Sequence, residues 1–151
     1  MRSSPSSTTR TGKTTSAIVD TTVLYAYTDR TDHGHVRCIE FLDSFPGTLL
    51  VPTLILGETA YLLGKRRGAA AEIVFLNSVV GGELIVEQPT QKDLARIAEL
   101  VWRYRDLPLG TADASVVALA ERLDVKTIAT LDRRDFSVVR PRHVEAFKLV
   151  P

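Results

Sequence analysis

The stretch SAIVDTTVLYAY, residues 16–27, joins a short apolar strand pattern directly to an apolar helix pattern. Ala17, Ile18 and Val19 have the unbroken apolar character of a strand that is buried on both faces. Asp20 follows at the carboxyl end of this strand, where an unpaired charge is costly to bury. A carboxylate in this position caps the following helix, is neutralised by a partner, or belongs to a functional site.

Strand-like and helix-like segments alternate from this stretch to the end of the chain. After AIVD, strands are predicted at TLLVPT, ELIVEQ and KTIATLD, with a last short strand near FSVVRP or AFKLV. Helices are predicted at TVLYAY, residues 35–45, LILGETAYLLGKRRG, AAAEIVFLNSVV, TQKDLARIAELVWRYR and LGTADASVVALAERLD. This alternation with short links predicts an α/β fold, in which helices on both faces cover a mainly parallel sheet of about five strands.

Some helices carry more specific predictions. In TQKDLARIAELVWRYR, one apolar face is predicted from Leu94, Ile97, Ala98, Val101 and Trp102. The threonine at position 111 is placed to cap the next helix. The three histidines of the chain are predicted to lie at the surface.

Length and composition exclude several classes of protein. The chain has 151 residues, enough for one domain, and its net charge of +1 indicates no particular partner. Its single cysteine, Cys38, rules out a disulfide framework within the chain and favours a cytoplasmic location. No apolar run is long enough to cross a membrane.

Residues 1–15 are almost all serine, threonine or basic, and lack the apolar core of a secretory signal. They are predicted to form a disordered polar tail, which leaves residues 16–151 as the folded domain. The GKTT of this tail resembles part of a phosphate-binding loop. That loop needs a glycine where Ser7 stands, and it follows a strand rather than preceding one, so we reject this interpretation.

Four acidic residues fall where an α/β fold usually carries its chemistry. Asp20 and Asp132 are predicted to close the first and fourth strands, and ligands of open parallel sheets bind beyond such ends. Asp113 lies in the first turn of its helix, and Glu58 lies on a helix face that is predicted to be largely buried. Each acid also has an ordinary structural interpretation. Asp20 could cap a helix, and Asp113 could complement a helix dipole. Asp132 could start a turn, and Glu58 could pair with a buried arginine. The joint pattern favours one acidic site.

Clustered carboxylates need a cation to stay ionised, and oxygen ligands without nearby histidine or cysteine favour Mg²⁺ or Mn²⁺. We therefore expect a metal ion bound by Asp20, Asp113 and Asp132, with Glu58 as a fourth catalytic acid. Three neighbouring side chains are further candidates for this site: Thr21, Thr130 and Asp135.

Four segments, in their order along the chain, resemble the PIN-domain ribonucleases, and above all the VapC-type toxins of bacterial toxin–antitoxin pairs. They are IVDTTVLYAY, LILGETAYLL, LGTADASVVALAERL and TIATLDRRDF. The resemblance implies a PIN-like α/β/α sandwich, a Mg²⁺- or Mn²⁺-dependent endoribonuclease, a homodimer, and a cognate VapB-type antitoxin that blocks the site. By motif, it matches the family's acids to Asp20, Glu58, Asp113 and Asp132, and the family's hydroxyl position to Thr130.

The sequence contains no obvious covalent nucleophile beside a base, so a metal-activated water is expected to hydrolyse the RNA phosphodiester. Cations must hold the RNA phosphates. The candidates are Lys65, Arg66, Arg133 and Arg134, with Arg67, Arg140 and Arg142 as further basic residues.

Two other classes of function were weighed. A phosphatase of the haloacid-dehalogenase type also begins with an aspartate after a strand, but it needs a second aspartate where Thr22 stands. A catalytically silent RNA-binding or interaction module of the same fold is the alternative to the nuclease, and the presence of all four acids argues against it.

Overall fold

The computed structural model describes residues 15–151, in which five strands and seven helices alternate. The strands are β1 (Ser16–Val19), β2 (Thr48–Pro52), β3 (Leu84–Glu87), β4 (Thr127–Ala129) and β5 (Lys148–Val150). The helices are α1 (Thr21–Thr28), α2 (His35–Ser44), α3 (Thr53–Arg67), α4 (Ala69–Val80), α5 (Gln91–Arg103), α6 (Thr111–Leu123) and α7 (Arg133–Val138). Apart from its last residue, the predicted polar tail lies outside the described residues. Within 15–151, no helix combines the length and the apolar character that crossing a bilayer requires.

The five strands form one parallel sheet in the order β3-β2-β1-β4-β5. β1 is the central strand, and its Ala17 pairs with Leu49 of β2 and with Thr127 of β4. The side chains of Ala17, Ile18 and Val19 are fully buried, as their unbroken apolar pattern predicts. The predicted parallel sheet of about five strands is therefore confirmed.

The strand order determines which face of the sheet each connection covers. The chain moves from β1 through β2 to one edge, then returns past β1 to β4 and β5. Because crossovers between parallel strands are right-handed, α1–α4 cover one face and α5–α7 cover the other. The direction of winding reverses between β1 and β4. Open α/β sheets bind their ligands at such a switch point, beyond the carboxyl ends of the strands.

Helix α5 packs through a different face from the one predicted. Ile97 is buried, but Leu94 and Trp102 are 44% and 69% exposed. The buried stripe instead includes Asp93, whose carboxylate lies 2.8 Å from the guanidinium of Arg122 on α6. This ion pair stabilises the orientation in which the Asp93 side of α5 packs against α6. The apolar pattern of α5 alone does not predict that orientation.

One local prediction is resolved and two are corrected near the site. Of the two alternatives for the last strand, AFKLV contains β5, whereas FSVVRP begins inside α7. β4 ends at Ala129, so Asp132 lies in the turn beyond the strand rather than at its end. Thr111 is the first residue of α6, and Gly110 takes the capping position without a side-chain hydrogen bond.

Two of the three histidines are half-buried rather than at the surface. His35 Nδ1 lies 2.7 Å from the carbonyl oxygen of Ala26, near the end of α1. His143 Nε2 lies 2.7 Å from the carbonyl oxygen of Val125. The His35 ring therefore ties the start of α2 to α1, and the His143 ring ties the segment before β5 to the segment before β4.

Candidate active site

Asp20 is the buried centre of the candidate site. It is 2% exposed and forms the N-cap of α1, where its Oδ1 accepts a hydrogen bond from the Val23 N–H at 3.2 Å. Two hydroxyls donate to the same carboxylate, Thr22 to Oδ1 at 2.6 Å and Thr130 to Oδ2 at 2.5 Å. Burial raises the pKa of Asp20 to about 6, although these hydrogen bonds act in the opposite direction. The Asp20 side chain thus caps α1, while its burial disfavours the charged form of the carboxylate.

The turn after β4 is attached to the start of α1. Thr130 is fully buried, and its Oγ1 accepts a hydrogen bond from the Asp132 N–H at 2.9 Å. The Leu131 N–H donates to Thr22 Oγ1, also at 2.9 Å. Because Thr22 and Thr130 both donate to Asp20, this carboxylate links the carboxyl ends of the two strands at the switch point.

Glu58 reaches the site from α3, but it lies on an exposed face. The prediction of a largely buried face is wrong at Glu58 and at Tyr61, which is 62% exposed, whereas Ile55 and Thr59 form the buried side of this helix. Within the described residues, Glu58 Oε2 accepts a hydrogen bond of 2.5 Å from the hydroxyl of Thr21. The partner of Glu58 is therefore Thr21, the neighbour of Asp20, and not a buried arginine.

Asp113 shows that the acids share one region. It is half-buried in the first turn of α6, and its pKa is raised to about 7. Burial is the main cause, followed by the charges of Asp20, Glu58, Asp135 and Asp132. Carboxylates from the end of β1, from α3 and from the β4–α7 region thus lie within electrostatic range of Asp113.

Asp132 and Asp135 complete this acidic region beside α7. Asp132 takes the N-cap position of α7, but its side chain makes no capping hydrogen bond. The pKa of Asp135 is raised, first by burial and then by the charge of Asp132. The side chain of Asp132 faces Asp135, with which it shares a hydrogen bond, instead of capping the helix.

The oxygen atoms of this region are of the kind that a hard divalent cation prefers, but the carboxylates lie too far apart to coordinate one ion together. In the part of the chain that the structure describes, no three His, Cys, Asp or Glu side chains are grouped closely enough to hold a metal ion. The converging groups are all carboxylates and hydroxyls, the ligands that Mg²⁺ and Mn²⁺ prefer. Carboxylates that raise one another's pKa also gain from a cation between them. A bound ion would have to draw these acids closer together.

The basic candidates differ in how free their side chains are. Arg133 donates to the carbonyl oxygen of Pro151, which also accepts from Arg37 at 2.7 Å. Arg66 lies over the Tyr25 ring, with its guanidinium carbon 5.3 Å from the ring centroid. Arg134 is exposed beside the acids, where its charge acts to lower the pKa of Asp135.

The remaining basic residues lie in other contacts. Lys65 Nζ is 5.8 Å from the centroid of the Tyr61 ring. Arg67 pairs with Asp29 at 3.5 Å, and Arg142 pairs with Glu99 at 3.0 Å. Arg134 is therefore the cationic candidate that the structure places most directly against the acidic region.

The fold and the site together define an α/β protein with a group of acids at the switch point of a parallel sheet. We call this region, which is formed by Asp20, Glu58, Asp113, Asp132 and Asp135, the acidic crevice. The PIN domain family matches residues 17–140, most of the chain, so the chain belongs to the PIN-domain family.

Relatives and solved structures agree with this assignment. The chain is 36% identical to Ribonuclease VapC26 of Mycobacterium tuberculosis over 134 residues, which cover 89% of this chain and 99% of that protein. The fold is similar to that of Mycobacterium tuberculosis VapC20, described as a sarcin–ricin loop cleaving toxin, with a TM-score of 0.76, 23% identity and coverage of 85% and 98%. It is also similar to VapBC2 of Rickettsia felis, solved bound to a promoter DNA fragment, with a TM-score of 0.64, 15% identity and coverage of 89% and 96%.

The contacts of Thr22 were not foreseen from the sequence. In the sequence, Thr22 is only one of the small hydroxyl residues beside the acids, and the residue that departs from the phosphatase pattern. In the structure it binds both Asp20 and the backbone of the β4–α7 turn. The available signal was the pair of adjacent threonines directly after Asp20.

Proposed function

We propose that this chain is a metal-dependent endoribonuclease that acts as the toxin of a VapC-type toxin–antitoxin pair. The observation that carries the proposal is the convergence of acids from the end of β1, from α3, from α6 and from the β4–α7 region; burial, followed by the charges of Asp20, Glu58, Asp135 and Asp132, raises the pKa of Asp113. Mutual repulsion of this kind is typical of functional sites and is relieved by a cation. The 36% identity to a ribonuclease of nearly the same length supports the same activity.

In this proposal, Asp20, Asp113 and Asp132 hold Mg²⁺ or Mn²⁺. When bound, the ion supplies positive charge to the phosphate and lowers the pKa of the attacking water. Glu58, the most exposed of the four acids, is assigned to orient that water. The water oxygen bonds to phosphorus as the bond to the 3′ oxygen breaks and that oxygen gains a proton. The product ends are therefore a 5′-phosphate and a 3′-hydroxyl.

Among residues 15–151, the nucleophilic side chains closest to the acids, and the one cysteine, do not favour a covalent route. Cys38 is buried, and burial raises the pKa of its thiol to about 11, so it carries little thiolate at neutral pH. The hydroxyls of Thr21, Thr22 and Thr130 all donate to carboxylates of the acidic region. Hydrolysis by water is thus the chemistry that these residues support best.

We assign RNA phosphate contacts first to Arg134, and then to Arg133, Lys65 and Arg66. Arg133 and Arg134 immediately follow Asp132, so two cationic side chains lie next to a proposed metal ligand and near the RNA phosphate that would be cleaved. Arg66 and Lys65 lie near the end of α3, about two turns beyond Glu58.

The proposed protein partners are a second copy of this chain and a VapB-type antitoxin. Helix α4 exposes four large apolar side chains and buries only one large side chain, Phe75. The exposed ones are Ile73, Val74, Leu76 and Val80. A helix that is apolar on nearly every side is normally covered, so we assign α4 to the homodimer interface.

The test is an RNA cleavage assay with Mg²⁺ or Mn²⁺, repeated with excess EDTA. We expect the wild type to cleave single-stranded RNA only with the metal, and Asp113→Asn to lose most of this activity. Asp43→Asn, which changes an exposed acid on α2, is the matched control and should cleave like the wild type.

The same assay separates the proposal from its alternative. RNA binding by the wild type without metal-dependent cleavage would favour the silent RNA-binding module. Cleavage that persists in EDTA, or in Asp113→Asn, would show that the acidic crevice is not the active site.

A further inference from the structure

Two adjacent threonines at the start of α1 contact opposite sides of the acidic crevice. The Thr21 hydroxyl donates to Glu58 on α3 at 2.5 Å. The Thr22 hydroxyl donates to Asp20 at 2.6 Å and accepts from the Leu131 N–H at 2.9 Å. The first turn of α1 thus contacts Glu58 on one side and, on the other, the loop residue Leu131 that precedes Asp132.

We propose that Thr21 and Thr22 are positioning residues with separate tasks: Thr22 sets the metal-binding aspartates, and Thr21 sets Glu58. This inference rests on the function proposed above. It goes further by dividing the site into two parts, the metal-binding aspartates and Glu58, each of which can be disrupted without the other.

The case for Thr22 follows from the acceptor capacity of Asp20. An ionised carboxylate has about four lone-pair positions, two on each oxygen. Oδ1 already accepts from Thr22 and from the Val23 N–H, whereas Oδ2 accepts from Thr130. The Thr22 N–H also acts on this carboxylate. Of the donors at a measured distance only Thr130 reaches Oδ2, so Oδ2 is the less crowded oxygen and the one that would face a cation. Thr22 thereby occupies one carboxylate oxygen and orients the other.

Thr22 also controls where Asp132 stands. Its oxygen is the acceptor for the Leu131 N–H, immediately before Asp132. Removal of the hydroxyl would leave that N–H without this partner and release one attachment of the turn. Asp20 and Asp132 would then lose their relative placement together, although neither residue had been changed.

The case for Thr21 is its buried position beside an exposed acid. Thr21 is 8% exposed, so its hydroxyl is held in place by packing, and its hydrogen bond to Glu58 fixes an otherwise mobile surface side chain. Glu58 is not among the proposed metal ligands. Loss of the Thr21 hydroxyl should therefore affect the cleavage step more than metal binding.

The experiment measures Mn²⁺ binding to the metal-free protein by titration calorimetry, and RNA cleavage separately. Thr22→Val keeps the shape of the side chain but removes the hydroxyl, and we expect it to weaken Mn²⁺ binding by about 10–100-fold, the usual effect of losing a group that orients a metal ligand. Thr22→Ser should restore most of the affinity. Thr28→Val is the control, because this hydroxyl, on the same helix, bonds only the Leu24 carbonyl oxygen among its described contacts.

Thr21→Val should leave Mn²⁺ affinity close to that of the wild type and lower the cleavage rate. Its effect should not add to that of Glu58→Gln in the double variant, because Thr21 acts only through the Glu58 carboxylate, which Glu58→Gln has already removed. Additive effects would overturn the role of Thr21.

Equal Mn²⁺ affinity in Thr22→Val and the wild type, or no rescue by Thr22→Ser, would overturn the role of Thr22. These results differ from a failure of the nuclease proposal, in which the wild type binds Mn²⁺ but cleaves no RNA.

Discussion

At the scale of single residues, Asp20 combines a structural and a proposed catalytic task, and substitutions can separate the two. Asparagine caps helices about as well as aspartate and carries no buried charge. We expect Asp20→Asn to abolish cleavage while the melting temperature stays level or rises. Asp20→Ala loses the cap as well, which costs about 0.5–2 kcal/mol, so it should melt lower than Asp20→Asn.

Cleavage assays and thermal melts of both variants check this prediction. Equal melting temperatures for the two would mean that the Val23 and threonine hydrogen bonds contribute nothing to folding. Near-normal cleavage by Asp20→Asn would remove Asp20 from the site.

Residue type and position along the chain predicted where the acids meet, because the carboxyl ends of neighbouring parallel strands share one edge. They did not predict exposure. Glu58 has apolar neighbours in sequence, yet it lies on the exposed side of α3, because a helix shows successive residues to different surroundings. The second contact of Thr22 joins residues 109 positions apart, so no local pattern could contain it.

At the scale of elements, α4 allows the proposed homodimer to be tested. Val74 is 62% exposed, so a charge there should leave the fold intact while opposing burial against a partner. We expect Val74→Glu to be monomeric by light scattering at concentrations where the wild type is dimeric. Val36→Glu is the control, since this valine is 66% exposed on α2. A dimer that survives Val74→Glu would place the interface elsewhere.

Helices and strands were predictable where one period dominates the sequence. α5 was assigned correctly as a helix, but its orientation was not, because two overlapping apolar stripes compete and the Asp93–Arg122 pair decides between them. The segment after β4 was ambiguous for a related reason. Six residues are too few to distinguish a helix such as α7 from a strand by periodicity alone.

At the scale of the whole molecule, the acidic crevice should make stability depend on pH. The pKa values of Asp20 and Asp113 rise from 3.8 to about 6 and about 7. The folded chain therefore keeps protons that the unfolded chain has released, and the free energy of unfolding falls as pH rises from about 4 to about 7. We expect metal-free protein to resist urea better at pH 5 than at pH 7.5, with a smaller difference in Asp113→Asn.

A bound metal ion should reverse this loss at neutral pH. At about 100 times its dissociation constant, an ion that binds only the folded chain adds roughly 2.7 kcal/mol. For a chain of this length, that raises the melting temperature by about 5–10 °C. The effect of Mn²⁺ should shrink at pH 4.5, where protons occupy the carboxylates. A melting curve at pH 7.5 that does not respond to saturating Mn²⁺ or Mg²⁺ would contradict a metal site in the free protein.

The alternation of strands and helices predicted a parallel sheet, but not the order of its strands. Many orders satisfy the same alternation, and the choice depends on how the helices pack. Here the order puts β1 beside β4, which brings the segment after Asp20 against the segment that contains Thr130 and Asp132. The site therefore depends on a tertiary choice that no single segment records.

The central position of β1 affects how an assay of this protein should be interpreted. Asp20 and Thr130 follow β1 and β4, two of the three strands that lie between other strands, so their hydrogen bonds belong to the part of a fold that opens last. Fraying at the edge strand β3 leaves that pair in place, whereas the Thr130 N–H also donates to Val150 of β5 at 2.8 Å. Inactivation on heating should therefore report cooperative collapse of the domain rather than local melting, and residual activity becomes a direct count of intact molecules.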